Sequence, residues 1–254
     1  MSDFNRDYAR SIPTDRADMS VDAGLRSFML GVYNKVALGL VVSAILAFIT
    51  GQVGPVQQLL YRTAIDSAGQ TVLAGYTLLG YAVAFGPLVV ILFGAFGMKN
   101  ATPRSSGIYY WTIVALLGAS LGAITLVYTG ASIFQTFLIT ATAFGGLSLV
   151  GYTTKKDLGP MGSFLIIGAF GLMIAMLVNI FLGSGMLAFI INVVGVLVFA
   201  GLIAYDTQRL KMTYYELKGD GAAMGVATNY CALSLYLDFI NLFMFLLRLF
   251  GDRR

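Results

Sequence analysis

The chain of 254 residues is 58% hydrophobic and 11% charged, with a formal net charge of +4. A soluble domain carries about 25% charged residues, so these few cannot clothe a water-facing surface, and the apolar residues need lipid as solvent. His is absent and Cys231 stands alone, which excludes Ser-His-Asp and Cys-His catalysis, a thiolate metal cluster and an intrachain disulfide.

Residues 1–27 mix both signs of charge, among them Asp3, Arg6, Asp15, Asp22 and Arg26. Mixed charge without an early apolar run is neither a secretory signal nor a transit peptide. The stretch reads as a flexible cytoplasmic tail that turns helical toward Tyr33. Residues 28–254 read as an all-α polytopic membrane bundle. Its hydrophobic blocks run over about 32–49, 77–98, 107–128, 132–152, 161–182, 187–206 and 228–250. Each approaches the ~20 residues needed to cross a hydrocarbon core, and none alternates as a barrel strand would. About seven helices are therefore expected. Thr129-Gly130-Ala131 and Gly183-Ser184-Gly185 are tight turns, and Pro103 and Pro160 punctuate longer loops. The longest gap, 52–76, holds Val56-Gln57-Gln58-Leu59-Leu60, a segment suited to lying along the interface. No internal repeat is evident, against an inverted-repeat transporter.

Lys99, Arg104, Lys155, Lys156, Arg209, Lys211 and Lys218 fall in alternate loops, while the opposite loops hold only Arg62. The positive-inside rule then puts the N-terminus in the cytoplasm. A seventh full crossing sends Arg248, Arg253 and Arg254 outside; a re-entrant last block keeps both termini inside. Both arrangements stay open. The basic residues orient the chain in a membrane and do not form a nucleic-acid footprint.

Gly118 and Gly122 form a GxxxG pattern suited to close packing within the bundle. Asp238 lies mid-block, where an Asp costs roughly 2.5–3.5 kcal/mol to insert. Helical spacing puts Cys231, Ser234, Asp238 and Asn241 on one face, a polar stripe that belongs against a water cavity or the bundle interior. Asn192, Gly195, Phe199 and Asp206 share a face of the sixth helix, which Asp206 closes. Two readings follow. In one, Asp206 and Asp238 are a carboxyl pair between helices that shares a proton and, when ionised, offers hard oxygens to Ca²⁺. In the other, Asp206 pairs with Arg209 one turn on, and Asp238 is neutral and hydrogen-bonded by itself.

The segment Leu233-Ser234-Leu235-Tyr236-Leu237-Asp238-Phe239-Ile240-Asn241-Leu242-Phe243, followed by Leu246-Leu247-Arg248, resembles the closing motif of the Bax inhibitor family. Ala204-Tyr205-Asp206-Thr207-Gln208 is similar to its sixth-helix motif. Gly151-Tyr152-Thr153-Thr154-Lys155-Lys156-Asp157-Leu158 resembles the fourth-to-fifth loop of its bacterial inner-membrane branch. The resemblance spans about 24–254. It implies six helices around a central seventh, in the bacterial inner membrane. It also implies a pH-sensitive Ca²⁺ leak sensed by aspartates at the positions of Asp206 and Asp238. Leaky family members resemble one another in a basic second-helix residue that meets the pair, which implies Lys99 as the gate's counter-charge here. Some bacterial relatives are associated with a membrane-bound protease.

The leading expectation is a proton-gated cation leak, with the lipid bilayer, protons and Ca²⁺ as partners, no resident cofactor and no nucleic acid. The alternative is a non-conducting regulator that restrains a membrane-bound protease or another membrane protein. An enzyme is not expected, because the GxGD pattern of intramembrane aspartyl proteases is absent around both aspartates.

Overall fold

The computed structural model describes residues 22–65, 69, 71–97 and 100–254, the side chains of 95–97 excepted. The elements run α1 (Ala23–Gln52), α2 (Gly54–Leu60), β1 (Tyr61–Ile65), β2 (Thr71–Tyr76), α3 (Leu78–Gly97) and α4 (Pro103–Ser120). A 3₁₀ turn at Leu121–Ala123 leads into α5 (Ile124–Val127). Then come α6 (Gly130–Thr153), α7 (Gly159–Leu182), α8 (Gly185–Leu217) and α9 (Gly221–Phe250). Lipid offers no partner to a bare peptide group, so spans this apolar satisfy their backbones within helices. Six are long and apolar enough to cross a membrane: α1, α4 continued through α5, α6, α7, α8 and α9. In α3 the shorter apolar stretch is Leu78–Gly94, and Pro87 interrupts its backbone hydrogen bonding. The chain is a multi-pass helical membrane protein.

Local chemistry sets the boundaries. Asp22 caps α1 by accepting from the Gly24 and Leu25 amides, and Leu25, Phe28 and Met29 at helical spacing are buried. Residues 23–27, expected in the tail, are therefore helical, and Leu25 among them is part of the core. Residues 1–21 of that tail lie outside the described residues. Pro103 and Pro160 sit in the first turns of α4 and α7, where a missing N–H costs nothing. Gly183 ends α7 at φ 61°, a left-handed cap that glycine adopts freely. The 52–76 gap corrects one expectation. Its apolar segment is the short helix α2, but a two-stranded antiparallel hairpin follows, with a register shift at Arg62/Thr63. Its buried Tyr61 packs with Leu60, Ala123 and Leu126.

Burial separates the helices. Of the apolar window of α9, 67% is buried, against 6% for α7, so α9 lies within the bundle and α7 faces outward. α9 packs on α1, α4, α6 and α8. It runs the length of the bundle. Asn229 near its start donates to Pro103 O at 3.0 Å, beside the start of α4. Beyond its end, Asp252 N–H donates to Ser132 Oγ at 3.0 Å, and Arg254 N–H donates to Val127 O at 3.0 Å, beside the start of α6. The GxxxG pattern serves the α1–α4 contact: a Cβ on Gly118 would stand 2.6 Å from Ser43 Cα, and one on Gly122 would strike Thr50.

Candidate functional site

Asp206 does not close its helix. α8 continues to Leu217, because a helix leaving lipid need not stop there, and the segment carrying Arg209, Lys211 and Glu216 tolerates water. Asp206 is thus a mid-helix residue, 9% exposed, and Asp238 on α9 is 6% exposed. The two aspartates face each other across the α8–α9 contact, close enough for their carboxyls to interact electrostatically. Ser234, one turn before Asp238, donates its hydroxyl to Asp206 Oδ2 in a close contact. Among the described residues, Asp238 Oδ2 is buried with no donor.

Arg209 does not neutralise the pair directly. It acts on Asp206 through space, but the ion pair found among the described residues lies elsewhere, between Lys218 and Asp22 at 3.0 Å. Arg209 is exposed and shares with Asp206 a cavity of about 400 Å³, also lined by Thr213, Tyr230, Cys231 and Ser234. The stripe read from the sequence is therefore only partly assembled. Cys231 and Ser234 line the cavity, whereas Asn241 turns back to donate to Leu237 O of its own helix at 2.8 Å. Asn192 lies two-fifths of α8 away, about 20 Å at ~1.5 Å per residue, and does not line the cavity. Lys99 lies outside the described residues.

A frame that the sequence reading missed surrounds the pair. Gln208, two residues past Asp206, accepts from Leu158 N–H and donates to Lys156 O, both at 2.8 Å, and so clamps the α6–α7 loop to α8. Lys211 donates to Tyr152 O at 2.7 Å, and a Cβ on Gly151 would collide with the Ala204 backbone. Thr207 meets the Tyr33 hydroxyl at 3.2 Å. On the far side of α9, the buried Tyr236 hydroxyl meets Ser43 Oγ at 2.7 Å, and Tyr110 donates to Lys35 O at 2.7 Å. The Lys218 ammonium holds the Asp22 carboxyl down to about 2, aided by the Leu25 amide and the Tyr214 hydroxyl. This clasp ties the start of α1 to the end of α8. Polar residues adjoining Asp206 were the available signal for the frame. Their partners, distant in sequence, were not readable.

Three segments thus meet in space: 151–158, 204–208 and the polar part of α9. A family-wide sequence model described as "Inhibitor of apoptosis-promoting Bax1" matches residues 25–254. The chain belongs to the Bax inhibitor family. It is 64% identical over 254 residues to an "Uncharacterized protein" of Caulobacter vibrioides, covering all of both chains. It is 39% identical over 248 residues to "Uncharacterized protein RP147" of Rickettsia prowazekii, covering 98% of this chain and 99% of that one. It is also 38% identical over 233 residues to Escherichia coli "Inner membrane protein YbhL", covering 91% and 94% respectively.

The donor set bears on calcium. A resident Ca²⁺ takes six to eight oxygens. No group of three or more His, Cys, Asp or Glu that would hold a metal occurs among the described residues. Two carboxyls and the Ser234 hydroxyl fall short of a closed calcium site.

Proposed function

We propose that this Bax inhibitor family protein is a pH-sensitive cation leak of the bacterial inner membrane, with Ca²⁺ as permeant ion and the Asp206–Asp238 pair as gate. The observation that carries the proposal is the buried pair itself, with Ser234 on one carboxyl and Asp238 Oδ2 lacking a donor among the described residues. An ionised carboxylate left this way is costly, and two side by side repel. One proton between them satisfies the orphan oxygen and draws α8 onto α9, which closes the path. Loss of that proton leaves two like charges and drives the helices apart. The opened pair then faces the cavity with oxygen ligands for a hydrated cation.

The topology proposed is seven crossings around a central α9, with the N-terminus cytoplasmic. The end-to-end run of α9 and the pinning of 252–254 beside Val127 and Ser132 favour a full crossing over a re-entrant one. The Asp22–Lys218 end of the bundle, which carries the basic loops, is then cytoplasmic, and Arg253 and Arg254 lie outside. The test is Ca²⁺ flux into liposomes holding the purified protein. Flux that rises with pH supports the gate. Absence of flux at every pH overturns the leak and leaves a non-conducting regulator of another membrane protein, a membrane-bound protease included.

A further inference from the structure

Away from the aspartate pair, α1 and α6 leave a groove on the bundle's flank. Its floor is α9, through Phe239, Ile240 and Phe243, and its volume is about 510 Å³. Phe48 of α1 and Phe134 of α6 border it and are 63% and 64% exposed. The groove is apolar almost throughout, and its rims lie in helices long and apolar enough to cross a membrane. Its polar end is different. Gln52, Gly130 and Arg254 line both this groove and an adjoining polar cavity of about 480 Å³, which adds Gln57, Thr71 and Thr129. An apolar slot therefore runs into a polar chamber, with Arg254 where they join.

The backbone of Arg254 is fixed. Arg254 N–H donates to Val127 O at 3.0 Å, and Arg253 lies over the Tyr128 ring. The neighbouring acid is engaged, since Asp252 Oδ2 accepts from the Ser132 hydroxyl at 3.2 Å.

We infer that this groove is a binding site for one anionic phospholipid, with an acyl chain between α1 and α6 and the phosphate on Arg254. The occupant follows from three features. Bilayer lipid is the medium at the groove's open side, so a chain enters without desolvating anything polar. The volume lies within the usual range for ligand sites. Arg254 stands at the apolar-to-polar boundary, where a phospholipid carries its phosphate, and a guanidinium is a planar fork that matches phosphate oxygens. The Gln and Thr side chains beyond give the headgroup hydroxyls a polar chamber. Such a site would exist whether or not the protein conducts.

The test uses the full chain purified in mild detergent, with native mass spectrometry and extraction of the retained lipid. Wild type is expected to retain about one phosphatidylglycerol in preference to phosphatidylcholine, and added phosphatidylglycerol to raise its melting temperature. Arg254→Ala removes the charge and leaves the backbone hydrogen bond in place. It should cut retained anionic lipid about fivefold or more. Ala44→Phe fills the groove from an exposed position and should do the same. Arg62→Ala, on the hairpin outside both cavities, should retain lipid like wild type. Soluble glycerol phosphate and inorganic phosphate should not stabilise. Stabilisation by inorganic phosphate alone would mark a small-anion site and overturn the lipid. Equal retention of phosphatidylcholine, or unchanged retention by both Arg254→Ala and Ala44→Phe, would also overturn it.

Discussion

Replacing either aspartate of the proposed gate with asparagine removes one charge while keeping shape and one hydrogen-bonding oxygen. At the hydrogen-bond separation that the proposed gate requires, ~3 Å, two unit charges at an effective dielectric of about 20 repel by about 5 kcal/mol. A tenfold change in an equilibrium needs only about 1.4 kcal/mol. If a quarter to a half of the repulsion is released by moving α8 from α9, deprotonation shifts the closed–open balance by roughly ten- to a hundredfold. The cavity beside Asp206 is also lined by Arg209, Cys231 and Tyr230, with no further carboxylate among its lining residues. Wild-type Ca²⁺ flux in liposomes should therefore rise at least about tenfold between about pH 6 and 8. Asp206→Asn and Asp238→Asn should each vary less than about twofold, because the second charge never forms. In a double-mutant cycle the two should be strongly non-additive, since they act on one proton. Ser234→Ala, which leaves both carboxyls, should move the midpoint and keep the amplitude. If wild type conducts and both asparagine variants keep its full pH profile, the gate is wrong.

Three further outcomes are expected. Gly118→Leu must force α1 from α4 and should lose about 1–3 kcal/mol or more in unfolding assays, while Gly171→Ala, whose added methyl would meet no atom within 4 Å, should be neutral. Asp22 has its carboxyl depressed to about 2, so its clasp with Lys218 is complete above the ordinary carboxylate value of about 3.9 and is lost as pH falls through about 2. The melting-temperature gap between wild type and Asp22→Asn should then be widest near neutrality and close by about pH 2; a constant gap would refute the linkage. Single cysteines at 155 and 211, in a Cys231→Ser background, should resist an impermeant thiol reagent in intact cells, and one at 253 should react. The reverse pattern would invert the proposed topology.

The helices were legible because lipid imposes one rule on every span: an apolar stretch must close its own hydrogen bonds. The boundaries were less so, because hydropathy reports where lipid stops and not where a helix does. α8 runs past Asp206 to Leu217, and α1 begins at Ala23 since Asp22 caps it and Leu25 is buried. The hairpin was missed for a related reason. Tyr61–Ile65 and Thr71–Tyr76 are short and only weakly alternating. What ties them down is distant: Tyr61 donates to Ala119 O at 3.1 Å, a partner that no local pattern announces.

The candidate site shows the same division. Asp206 and Asp238 were visible because a carboxyl at membrane depth needs a reason, and Ser234 followed from one turn of helix. Asn192 shared its face and yet lies far along α8, because helical phase fixes direction and not depth, while Asn241 turns its amide back to Leu237 O of its own helix. The clamps around the pair were hidden. Gln208 fastens the α6–α7 loop to α8, and Tyr236 fastens α9 to α1 through Ser43. Each aspartate is thus mounted on a helix anchored to a different neighbour. A charge appearing between them cannot be absorbed by side-chain drift alone, since both carboxyls are buried and Ser234 already holds one of them. In the proposed gate that strain would pass into the α8–α9 contact, so that one proton between two side chains would act on whole helices.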